Sequence, residues 1–160
     1  EIHERLVGSE MCIRDRKQTD QKAKISAINQ YYVEQMIKLC RKNNVELILV
    51  STPSIKNWNY AKHNGIQTLA DQYGLEYYDL NLMPDQVKID WKKDTRDKGD
   101  HLNHTGAVQV SDWLGAFFHS KNTLTDHRQE TAYSQWNDAL GRYDQQIADG
   151  TAYEISHCKK

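Results

Sequence analysis

The sequence has little in it that would indicate a covalent staple, a membrane span or a polyanionic partner. Its three cysteines, Cys12, Cys40 and Cys158, are odd in number and far apart, which is the framework of neither a zinc site nor a set of disulfides. No apolar run approaches the roughly 20 residues that cross a bilayer as a helix. A dominant charge is missing too: 21 Lys and Arg stand against 22 Asp and Glu, for a formal net charge of -1. That balance gives no electrostatic reason to expect a nucleic acid or an anionic membrane surface as partner. Apolar residues make up only 38% and the mean hydropathy is -0.85, so part of the chain is expected to lie outside the core. A length of 160 residues is that of one ordinary domain.

What is present concentrates between Asp97 and Ala107, in Asp-Lys-Gly-Asp-His-Leu-Asn-His-Thr-Gly-Ala. Two acids flank a glycine and His101 follows at once. Behind it the composition becomes that of a helix start, with Asn103 or Thr105 able to cap and a periodic apolar run beyond. An imidazole beside carboxylates that can fix its tautomer is a candidate general base or acid. Asp97 and Asp100 are the candidate orienting groups. A third reading, metal binding by His101, His104 and Asp100, lacks further ligands at usable spacing, so neither a metal nor a cofactor is expected.

Around this block the pattern is α/β. From Thr19 onward Ile25, Ile28, Tyr32, Met36, Leu39 and Cys40 fall on one helical stripe, which predicts an amphipathic helix with one buried face. It should end at Arg41-Lys-Asn-Asn44, where asparagine tolerates a left-handed cap. Val45-Glu-Leu-Ile-Leu-Val50 is a short, nearly continuous aliphatic run, the pattern of a strand buried on both faces of a parallel sheet. Pro53 stops it.

Trp58 lies in the loop leaving that strand, the edge of an open parallel sheet where ligands bind; it is either a substrate-facing aromatic or a lid on the domain. A second helix carries Ile66, Leu69, Ala70 and Tyr73, with Gly74 as its C-cap. His63 at its start is a surface or capping residue in this reading. A second strand, Leu75 to Leu80, ends near Asp79. Residues 81–96 show no periodicity and are expected to be a loop. Val110, Trp113, Leu114 and Phe117 mark a third helix after the motif, expected to pack back on the sheet. In the tail, Tyr133, Trp136, Leu140, Tyr143 and Ile147 predict an appended helix, its aromatic stripe packing on the domain or facing a partner. Two strands are too few for a stable open sheet, so further strands are expected ahead of this stretch.

Two resemblances follow. Leu6-Val-Gly-Ser-Glu-Met-Cys-Ile-Arg-Asp-Arg16 resembles the translation of a sequencing-library adapter, which implies that residues 1–16 are an unstructured scar and that genuine sequence begins near Lys17, part-way through a gene. The order Val45-Glu-Leu-Ile-Leu-Val-Ser-Thr-Pro53, helix, Leu75-Glu-Tyr-Tyr-Asp79, then Asp100-His-Leu-Asn-His-Thr-Gly-Ala107 resembles the last two strands and the closing block of SGNH (GDSL-type) hydrolases, a superfamily of serine esterases and O-acyltransferases.

The resemblance implies a three-layer α/β/α sandwich with a flavodoxin-like parallel sheet, of which residues 17–121 would be the C-terminal part. Residues 122–149 would be an appended helix and 150–160 a frayed tail. It implies His101 as the base, and an aspartate usually three residues before it; Lys98 occupies that position, with Asp97 one residue before it and Asp100 two after. Asn103 and Trp58 become candidate substrate-binding residues. The substrate would be a small-molecule or carbohydrate ester, and the intact parent extracytoplasmic or membrane-anchored. The serine nucleophile of the family lies on an earlier block that this sequence does not contain, so the chain alone is expected to be inactive. The other reading, from the residues themselves, is a non-catalytic carbohydrate- or partner-binding module.

Overall fold

The structure is a computed structural model that describes residues 17–121 and 124–151. The expected scar, residues 1–16, and most of the expected frayed tail lie outside the described residues. What is described is a mixed α/β fold that divides into two compact units after Asp85.

The first unit opens with α1, Ala27–Lys42, whose Ser26 accepts at Oγ from the N–H of Asn29. The Ser26 cap places the helix start well after Thr19. Asn44 then takes the left-handed conformation, φ 54°. β1, Ile48–Ser51, leads through a loop to α2, Tyr60–Tyr73, and α2 returns the chain to β2, Glu76–Asp79. The two strands pair in parallel, Ile48 opposite Glu76 through Ser51 opposite Asp79, so this is one β-α-β unit. Gly74 closes α2 at φ 65°, the backbone conformation that costs glycine least.

The stripe expected to be the buried face of α1 is exposed: Ile28 and Leu39 keep 64% and 62% of their surface, and Ile37, off that stripe, is the residue buried. β1 likewise has no fully buried residue. Its only strand partner among the described residues is β2, and a two-stranded sheet offers too little surface to bury both faces of a strand.

The carboxyl end of β2 is held by a buried polar hub. The side chain of Asp79 is 3% exposed. Its Oδ2 accepts from Trp58 Nε1 at 2.7 Å, His63 Nδ1 at 2.7 Å and the Tyr77 hydroxyl at 3.1 Å. Its Oδ1 accepts from the main-chain N–H and side-chain amide of Asn81, at 3.0 and 2.9 Å. Asn81 in turn donates to the Thr52 carbonyl and accepts from the Ser54 N–H. The loop between β1 and α2 is therefore tied down near its start by Asn81 and near its end through Trp58.

The second unit contains an antiparallel hairpin that the sequence pattern does not announce. β3, Thr95–Arg96, pairs with β4, His101–Leu102, with Arg96 opposite His101. α3, His104–Lys121, follows with Val110 buried, and α4, Ser134–Ala148, has no buried residue. The α4 stripe is open, Trp136 at 69% exposed, and among its members Tyr143 reaches α3, its hydroxyl 3.0 Å from His104 Nδ1.

Candidate active site at the tip of the hairpin

The tip of the hairpin is Asp97-Lys-Gly-Asp100, and its backbone is unusual. Asp97, Lys98 and Gly99 all have positive φ, at 51°, 60° and 92°. Glycine adopts such values freely, but the two other residues carry a steric cost that a surrounding fold must outweigh, and residues held this way cluster at functional sites. The left-handed run curls Asp97 back over the strand that follows. Its Oδ2 lies 2.6 Å from His101 Nδ1 and its Oδ1 accepts from the His101 main-chain N–H at 2.9 Å. Both oxygens of one carboxylate thus hold one residue.

A carboxylate only accepts, so Nδ1 carries the proton and the neutral ring presents its lone pair at Nε2. Asp100 stands 3.8 Å from the same Nδ1, beyond a hydrogen bond. The four-residue separation between Asp97 and His101 closes because Lys98 and Gly99 take left-handed geometry. A valine at Lys98 is expected to open this turn, because a β-branched side chain is a true outlier at such φ and costs about 1–3 kcal/mol. Lys98→Gly is expected to keep it. The downfield imidazole N–H proton of His101 in the NMR spectrum reads the difference: retained in Lys98→Gly, lost in Lys98→Val.

The hydrogen bond from the His101 imidazole, joined by the one from its main-chain N–H, holds the Asp97 carboxyl below its ordinary range. A carboxyl whose folded pKa is lowered contributes stability that is complete above the unfolded value, ~3.9, and that is lost as pH falls through the folded one. The His101 contact is therefore expected to survive down to the ordinary carboxylate range and to fail only below it, which a titration of the same N–H signal checks. A pairing already lost by about pH 5, above the ordinary carboxylate range, would contradict the assignment.

Beneath the tip, Asp94 is buried and organises the entry to α3. It accepts from the Asp90 N–H at 2.9 Å, the Thr105 hydroxyl at 2.8 Å and the Gln109 amide at 2.7 Å. Burial alone would raise its carboxyl, but these donors, with Lys93 nearby, bring it below the usual value. Gly106 lets the helix come this close, since a Cβ there would collide with the Asp94 carbonyl oxygen.

Asn103 caps α3. Its Oδ1 accepts from the Gly106 N–H and the Thr105 hydroxyl, and its amide donates to the Lys93 carbonyl. These bonds give the Asn103 side chain a capping role at the start of α3. Trp58 belongs to the other unit, where it is 6% exposed and donates to Asp79. Asp97, Asp100 and His101 also bring one possible metal-ligand atom each within 4.8 Å. Both oxygens of Asp97 in that group already accept from His101.

His63 is the residue that sequence reasoning misses, because it bonds to the buried Asp79 instead of lying on the surface. A signal for it exists. In a β-α-β unit the start of the helix and the end of each strand lie at the same edge of the sheet, and His63 and Asp79 occupy those two places. No family model, curated protein or solved structure matches the chain.

Proposed function

We propose that this chain is the C-terminal part of an SGNH-type serine hydrolase or O-acyltransferase domain, acting on ester-linked acyl groups, with His101 as its general base and Asp97 as the group that orients it. The observation that carries the reading is the two-point hold of Asp97 on His101, at 2.6 Å through Nδ1 and 2.9 Å through the main-chain N–H. That hold leaves Nε2 available to a hydroxyl. Supporting it are the parallel β1-α2-β2 unit and the Asn103-capped helix directly behind the histidine, in the order the resemblance requires. In this reading the domain is a three-layer α/β/α sandwich whose other strands, and the serine, precede Lys17 in a longer protein.

His101 Nε2 takes the serine proton as the hydroxyl attacks the acyl carbon, and the resulting imidazolium returns that proton to the departing oxygen. Asp97 keeps the proton on Nδ1 throughout and stabilises the positive ring. The substrate is a small-molecule or carbohydrate ester. The test is to recover the coding sequence upstream of Lys17, express the longer protein and treat it with a fluorophosphonate probe. A single labelled serine, after a hydrophobic strand, is expected; a protein with no reactive serine contradicts the reading.

One observation favours a different class, a partner-binding module: α4 presents Trp136 and Leu140 to solvent, at 69% and 58% exposed, and aromatic anchors of this kind dominate binding surfaces. The same labelling separates the two readings, because a binding module leaves the probe unreacted.

A further inference from the structure

Asp79 and His63 form a second imidazole–carboxylate pair, in the first unit and on elements separate from the hairpin. By burial it is the better made of the two. The carboxylate side chain is 3% exposed and the imidazole 19%, against 43% for Asp97 and 62% for His101. Charge interactions strengthen as water is excluded, so the hold on this imidazole is less screened.

The Asp79 carboxylate receives five hydrogen bonds, from Trp58, His63, Tyr77 and, twice, Asn81. A carboxylate so supplied is an acceptor only. His63 Nδ1, at 2.7 Å from it, must therefore carry a proton, and in the neutral ring the lone pair sits on Nε2. Among the described residues Nε2 of His63 has no protein hydrogen-bond partner, and the side chain keeps 19% of its surface, so its lone pair is free to accept from a bound hydroxyl.

The surroundings narrow the choice. The ring of Tyr77 lies 5.5 Å from the imidazole, tilted at 32°, and that of Tyr60 lies 6.4 Å away at 78°. Tyr77 is a neutral phenol, because burial pushes its hydroxyl well above the ordinary value. An anion would meet the Asp79 charge behind the imidazole. A metal ion would find one nitrogen and no co-ligands, since the one cluster of His, Cys, Asp and Glu able to converge on a metal among the described residues is Asp97, Asp100 and His101. Aromatic walls beside a lone acceptor suit a neutral molecule with apolar C–H faces and donating hydroxyls.

We propose that His63, fixed by Asp79, is a binding site for a neutral polyhydroxylated ligand, a sugar or polyol, whose hydroxyl donates to Nε2. The inference does not depend on His101 or on the proposed hydrolase reading.

The test uses the full chain and diethyl pyrocarbonate, which acylates accessible unprotonated imidazole nitrogen, with labelled peptides mapped by mass spectrometry. His63 is expected to react in the native chain despite its burial. Methyl α-D-glucopyranoside at about ten times its dissociation constant is expected to slow that reaction about tenfold, in proportion to the sites it leaves empty, while His119 and His127 react as before. If His63 labels only in urea, Nε2 is sealed and the pair is a structural lock, which overturns the proposal. If it labels natively and neither the glucoside nor glycerol slows it, the ligand class is wrong and the proposal also fails. A long-range ¹⁵N spectrum tests the tautomer independently and without any variant: the Nδ1–H form of His63 is required, and the Nε2–H form overturns the site. Because His101 is read in the same peptide map, failure at His63 leaves the hydrolase reading untouched.

Discussion

Replacing His101 by Ala in the longer protein of the proposed reading is expected to lower turnover of an activated acyl ester by about 10²- to 10⁴-fold, the range typical of general acid–base catalysis. The loss should fall on kcat with KM little changed, since the imidazole acts when the proton moves and contributes little to holding the ester beforehand. Stability should hardly respond. The His101 side chain is 62% exposed, and its strand bonds to β3 through main-chain groups that alanine keeps. His104→Ala is the internal control: its ring meets Tyr143 and has no part in the Asp97 pair, so turnover should stay near that of the parent. A His101→Ala enzyme with full activity would remove the base from the proposal.

Asp79→Ala is expected to be the most damaging single substitution in the first unit, costing at least about 3 kcal/mol in urea unfolding followed by circular dichroism. The reason is the number of groups orphaned together. Trp58 Nε1 and the Asn81 main-chain N–H lose their acceptor inside the structure and His63 loses its own nearer the surface, while the Tyr77 hydroxyl keeps Ser51 and the Asn81 side-chain amide keeps the Thr52 carbonyl. Each buried donor left without a partner costs about 1–3 kcal/mol, and rehydration recovers part of the sum. Asp79→Asn should be milder, since an amide keeps one acceptor oxygen but cannot serve both sets of donors. A change within the ~0.5 kcal/mol typical of surface sites would show that the hub contributes little.

The contrast between these two sites explains what is legible in the chain alone. The β1-α2-β2 unit is legible because an aliphatic run, a helical stripe and a terminal glycine are local signals, each with its own geometry, and Gly74 and Asn44 sit where those signals put them. Strand length is not legible. Leu47 and Val45 belong to the same aliphatic run as Leu49, but β2 offers partners only to Ile48 through Ser51. The periodicity of α1 shows that it has an apolar face without showing that Ile28, Tyr32 and Leu39 on that face stay largely exposed. For α4 the stripe is equally silent about what covers it: Trp136 and Leu140 lie largely in solvent, while Tyr143 meets His104.

At the candidate site, His101 and the two acids are legible as a cluster, but the hairpin is not, since strands this short carry no pattern. The choice between Asp97 and Asp100 is equally hidden. It turns on three successive left-handed residues, and a lysine at the middle one gives no hint of them. Asn103 is visible both as a cap and as a ligand-binding residue, and the bonds it makes are those of a cap.

The most direct test of the central claim compares two single substitutions, Asp97→Asn and Asp100→Asn, in the longer protein of the proposed reading. Asp97 makes two hydrogen bonds to His101, whereas Asp100 stands 3.8 Å from its Nδ1. Asp97→Asn is therefore predicted to lower kcat by a factor on the order of 10⁴, as when an orienting acid is lost and the tautomer reverses, and Asp100→Asn to leave it nearly unchanged. Equal losses in both, or a loss confined to Asp100→Asn, would contradict the assignment of Asp97 as the group that holds the catalytic imidazole.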